Sequence, residues 1–89
     1  MKEFTLDCRE INDKAELHKA LAEGLSLPEW YGNNLDALHD CLTGISEDVC
    51  IIVKEFDVLE ERLGKYALSL RRVMLDSVEE NDRVRAAFI

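Results

Sequence analysis

The chain has 89 residues, 47% of them apolar, with 19 acidic against 11 basic side chains and a net charge of −8. That length suits one domain, residues 1–89, with enough apolar material for a core that needs neither disulfides nor metal. The negative balance disfavours nucleic acid and anionic membrane, which both require a basic footprint, and favours a cationic partner if the acid is gathered; scattered, it serves only solubility.

Lys2 to Cys8 alternates, with Phe4, Leu6 and Cys8 to one side, and predicts a first strand. Asp13-Lys14-Ala15-Glu16 resembles a capping box. Leu17, Leu21 and Leu25 then repeat at helical spacing, giving a helix that ends near Gly24. Leu25 to Asn33 is a loop holding Pro28, Trp30, Tyr31 and Gly32, and Asn33 or Asn34 can cap a second helix. In that helix Leu35, Leu38, Leu42 and Ile45 form the inward stripe, and Thr43-Gly44 closes it.

Val49 to Val53 is an unbroken apolar run, as expected of a central strand buried on both faces. Phe56 to Leu63 predicts a short helix, and Lys65 to about Glu80 a longer one with Ala67, Leu70, Met74 and Ser77 or Val78 inward. Arg83 to Ile89 closes as a strand. The order strand-helix-helix-strand-helix-helix-strand implies an α/β fold, a three-stranded parallel sheet covered by four helices.

Cys8, Cys41 and Cys50 are odd in number and lie in apolar stretches, so they read as small buried side chains in a reducing compartment. The opening MKEFTLD is too charged for a secretory leader, and no apolar run approaches the ~18 residues of a membrane span, so the expected location is cytoplasmic.

The inward stripe of the second helix fixes its other face. Asp36, His39, Asp40 and Thr43 fall together outward, and the two aspartates, four apart, repel with no basic residue beside them. Trp30, Gly32 and the adjacent asparagines adjoin this face, with Trp30 and Tyr31 each as well suited to the core as to a contact surface. A second acidic group, Asp76 and Glu80 with Glu79 and Asp82 nearby, lies on the fourth helix, where Arg72 stands four residues before Asp76. Taken alone, either group is equally a solvated helix surface.

Catalysis has little support. His39 and Cys41 are two apart on a helix and point to different sides, so they make no nucleophile–base pair. Asp36, His39 and Asp40 could hold a metal only with ligands from other elements. There is no glycine-rich phosphate loop and no zinc spacing of Cys and His. The residues point to a binding protein without a cofactor.

The run LPEWYGNNLDALHDCLTG, Leu27 to Gly44, resembles the signature of the barstar family, intracellular inhibitors of barnase-type ribonucleases. Chain length and element order agree with that family's three-stranded parallel sheet and four helices. The resemblance implies that the second helix and its preceding loop plug a ribonuclease active site. Asp40 falls on the central inhibitory aspartate and Asp36 on a second acidic contact. Trp30 falls on an aromatic contact that is tyrosine in the family's namesake, and Gly32, Asn34, Thr43 and Gly44 fall on neighbouring contact positions. Asp76 and Glu80 fall near acidic contacts of the fourth helix.

The chain departs from the namesake where His39 and Ile45 replace tryptophans and Asn33 replaces a glutamate. One of the namesake's cysteines is missing here, and Cys8 and Cys50 have no counterpart in it. His39 thereby joins the expected contact set. The implied partner is a secreted or extracellular cationic ribonuclease, bound by a protein that is monomeric when free. The alternatives are an immunity or antitoxin protein against another cationic toxin, and a metal-dependent enzyme on the Asp36–His39–Asp40 face.

Overall fold

A computed structural model describes residues 1–89. The elements are β1 (Lys2–Asp7), a 3-10 turn (Cys8–Glu10), α1 (Lys14–Leu25), α2 (Leu35–Thr43), β2 (Val49–Lys54), α3 (Phe56–Leu63), α4 (Lys65–Glu80) and β3 (Val84–Phe88). The sheet is parallel in the order β1-β2-β3. This is the expected α/β architecture of three parallel strands and four helices.

The central strand is not buried on both faces. Val49, Ile51 and Val53 are buried, while Cys50 and Ile52 are only half-buried. Their register partners on that second face, Glu3 and Thr5 on β1 and Arg85 and Ala87 on β3, are exposed. The helices therefore cover one face of the sheet and leave the other open. An apolar run alone cannot separate a strand covered on both sides from a central strand merely shaded by its neighbours. Cys50 correspondingly departs from the expectation of three buried thiols; Cys8 and Cys41 meet it.

Local signals explain the helix starts. Asp13 caps α1 by accepting from the Glu16 N–H at 2.8 Å, and Glu16 reaches back to accept from the Asn12 N–H at 2.8 Å. The helix runs past Gly24 to Leu25 and ends on Ser26 in the left-handed region. This end lies beside Gly24, as expected, while Gly24 itself serves packing. A side chain there would overlap the Phe4 ring, so glycine lets α1 lie close on β1. Gly64, with φ of 58°, makes the turn between α3 and α4.

The buried side chains converge between the helix layer and the inner sheet face, Leu17 and Leu21 from α1, Leu38 and Leu42 from α2, Leu59 from α3, and Leu70 and Met74 from α4. Ser77 shares this surface and satisfies its hydroxyl on the Val73 carbonyl at 2.8 Å. No helix is long and apolar enough to cross a membrane.

Candidate functional site

The site begins at the loop before α2. Tyr31 is 6% exposed and Trp30 73% exposed, which resolves the two aromatics into an anchor and a presented side chain. The Tyr31 hydroxyl lies 2.5 Å from Nδ1 of buried His18, and the Tyr66 hydroxyl of α4 lies 2.5 Å from Nε2 of the same ring. A neutral imidazole donates through one nitrogen and accepts through the other, so one tyrosine hydroxyl accepts and the other donates. Burial holds the His18 pKa below its ordinary value and lifts that of Tyr31. This triad ties the loop to both α1 and α4.

Asn34, not Asn33, caps α2. Its side-chain oxygen accepts from the Ala37 N–H at 2.8 Å, and its amide nitrogen donates to the Gly32 carbonyl at 3.2 Å. Asn33 takes the left-handed conformation that asparagine tolerates. A side chain on Gly32 would sit 2.9 Å from the Asn34 amide nitrogen, so glycine makes room for the cap.

Along α2, Leu38, Cys41 and Leu42 are buried, and Leu35 and Ile45 are half-buried against the core. Asp36 and Asp40 are exposed on the other side, about 6 Å apart along the axis at a rise of about 1.5 Å per residue. Neither takes part in an ion pair; the three pairs of the molecule are Arg9–Asp7, His39–Glu80 and Arg83–Asp48. Asp36 gains from the positive end of the helix, in whose first turn it lies. The Thr43 hydroxyl donates to the His39 carbonyl at 2.9 Å and the Asp40 carbonyl at 3.2 Å, so toward a partner it is left as an acceptor. Gly44 ends α2 in a right-handed conformation that does not require glycine.

The two acidic groups meet through His39. Its Nε2 lies 2.5 Å from Glu80 Oε2, across the packing of α2 on α4. His39 thus engages Glu80 on α4 and neither Asp36 nor Asp40. Asp76 is exposed one turn before Glu80. Arg72 does not pair with it, because exposed side chains four apart need not close the gap.

Asn81 is a member that sequence reasoning missed. Its amide nitrogen donates to the carbonyls of Leu42 at 2.9 Å, Thr43 at 3.3 Å and Ile45 at 3.0 Å. Asparagine just past a helix reads as a cap of that helix. Nothing local says that it also serves another.

No three His, Cys, Asp or Glu side chains gather in a geometry that could hold a metal ion. Trp30, Gly32 and Asn34 lie at the start of α2, Asp36, His39 and Asp40 along it, Thr43 and Gly44 at its end, and Asp76 and Glu80 beside it on α4. These features define a class, the small α/β domain that presents carboxylates from a capped helix. The chain belongs to the barstar family; the family model described as "Barstar (barnase inhibitor)" matches residues 1–89. The family is one of inhibitors, not enzymes. The chain is also 36% identical over 81 residues to "Putative ribonuclease inhibitor YrdF" of Bacillus subtilis (strain 168), covering 90% of this chain and 89% of that one.

Proposed function

We propose that the chain inhibits a cationic ribonuclease of the barnase type by plugging its active site with α2 and the loop before it. The observation that carries this reading is the pair Asp36 and Asp40, exposed and unpaired on a doubly anchored helix, in a member of the barstar family. A ribonuclease active site binds phosphate through cationic side chains. A carboxylate on a rigid helix occupies the phosphate position and accepts paired hydrogen bonds from a guanidinium. Asp40 is the central group and Asp36 the second. Trp30 packs at the edge, with Gly32 and Gly44 allowing close backbone approach, Asn34 and Thr43 adding polar contacts, and Asp76, His39 and Glu80 extending the surface over α4.

The test is titration of barnase activity with the purified chain and its Asp40→Ala variant. Wild type is expected to inhibit stoichiometrically. The variant should lose about 2–5 kcal/mol of affinity, roughly 30-fold to several thousand-fold in Kd, the range typical of truncated interfacial charge pairs and one that the barnase–barstar complex itself helped to define. Failure of wild type to inhibit a panel of barnase-type ribonucleases overturns the reading. The His39–Glu80 pair favours a second reading, an immunity or antitoxin protein for a different cationic toxin. A family contact made by tryptophan is here an imidazole already engaged by a carboxylate.

A further inference from the structure

We propose that Asn81 is a positioning residue for the inhibitory surface: it fixes the C-terminal turn of α2 and, with the His39–Glu80 pair, sets where Asp40 stands. This rests on the function proposed above. The inference begins with the weakness of α2 on its own. It spans nine residues, Leu35–Thr43, and isolated helices shorter than about 12–15 residues are marginal in water. Its start is held by Asn34. Its end has no left-handed cap, because Gly44 is right-handed with φ of −93° and ψ of −2°.

The last carbonyls of a helix have no partner within it. Here the Leu42 and Thr43 carbonyls at the end of α2 and the Ile45 carbonyl just beyond it converge on one donor group, the side-chain amide nitrogen of Asn81, with Leu42 also accepting from the Ile45 N–H. The same side chain accepts from the Arg83 N–H at 3.1 Å, and its backbone N–H closes α4 on the Ser77 carbonyl at 2.9 Å. Asn81 is thus fixed from its own side before it grips α2. One residue earlier, Glu80 takes His39 from the outward face of α2. Consecutive residues at the end of α4 thereby hold α2 in two ways. Asn81 sets the position of the last turn, and Glu80 restrains rotation about the helix axis.

Asp40 lies within this grip. It follows His39 in the chain, and its carbonyl accepts from both the Gly44 N–H and the Thr43 hydroxyl in the turn that Asn81 secures. Paired hydrogen bonds to a guanidinium demand that a carboxylate be held to within about 0.5 Å. A loose final turn would therefore cost affinity without removing any group that touches the partner.

The experiment uses the full chain with Asn81→Ala, and with Asn81→Asp as a near-isosteric variant that keeps the acceptor for Arg83 and loses the donor. Amide hydrogen exchange reports the positioning directly. In both variants the amides of residues 41–45 should exchange roughly tenfold faster, beyond any acceleration shared by the β2 amides, which follow global stability. Binding to barnase supplies the functional readout. Asn81→Ala should speed dissociation ~10-fold in the wild-type background and several-fold less when combined with Asp40→Ala, because Asp40 is the main contact that this turn positions and only Thr43 and Gly44 then remain. Exchange at 41–45 that rises only as much as in β2 overturns the proposal, as do equal effects of Asn81→Ala in the two backgrounds. If wild type does not bind barnase at all, the proposed function is in question, and the exchange measurement still decides whether Asn81 fixes the turn.

Discussion

His18 uses both ring nitrogens on tyrosine hydroxyls, and that makes one buried side chain responsible for the loop that carries Trp30 and Gly32. His18→Gln leaves at least one of these hydroxyls without its partner and should cost about 1–3 kcal/mol of stability. The same residue gives a pH dependence of defined sign. Burial lowers the folded pKa of His18 below the ordinary value of about 6.5. As pH falls from about 6.5 toward the lower folded value, the unfolded chain takes up a proton that the folded chain refuses, so stability falls. Wild type should lose more unfolding free energy than His18→Gln between about pH 7.5 and 5, measured by urea unfolding at each pH. The other titrating groups are common to both proteins and cancel in the difference; parallel pH profiles would show that the folded and unfolded pKa values of His18 coincide and that burial does not depress it. Asp7 acts in a separate window. Hydrogen bonds from Arg9 hold its pKa down to about 2, so its contribution is present above about pH 4 and lost as pH falls toward 2.

α2 is the element in which local sequence and tertiary structure divide the work most evenly. Its start is local, and Asn34→Ala should therefore lower stability by about 1 kcal/mol, whereas Asn34→Asp, which keeps the capping oxygen, should change it by only a few tenths. Urea midpoints with unchanged slopes would measure both; equal losses would mean that the Asn34 amide nitrogen on Gly32, not the cap, is what matters. The periodicity that places α2 is also local, so Leu38 and Leu42 inward and Asp36 and Asp40 outward could be read from spacing. The roles of Asp36 and Asp40 came from the resemblance, since spacing alone fits a solvated face equally well. Other features were not legible because they depend on partners distant in the chain. His39 meets Glu80 41 residues away, and Asn81 meets Leu42 39 residues away. Trp30 and Tyr31 could not be told apart until His18 and Tyr66 had claimed one of them. The open face of the sheet was hidden for the related reason that strand burial depends on what the rest of the chain packs against it.

At the scale of the whole molecule the relevant comparison is between its dimensions, 32 × 27 × 19 Å, and the reach of a surface charge, about 10 Å at 0.1 M salt. The net charge of −8 is then too coarse a quantity to describe an encounter. On the proposed function, a cationic partner arriving at the helix layer would respond to Asp36, Asp40, Asp76 and Glu80, and much less to acids on the open sheet face such as Glu3. Exposed charges steer association, whereas desolvated pairs at the centre of a complex govern its dissociation. Asp76→Asn should therefore slow association with barnase at about 0.05 M salt with little change in dissociation, and Glu3→Gln, which removes the same charge, should leave both rates within about 2-fold of wild type. Raising salt to about 0.5 M should slow wild-type association roughly tenfold or more and shrink the effect of Asp76→Asn. Stopped-flow association traces at the two salt concentrations measure these rates. If Glu3→Gln slows association as much as Asp76→Asn does, steering follows total charge, and the gathering of acids on α2 and α4 contributes nothing to the rate of encounter.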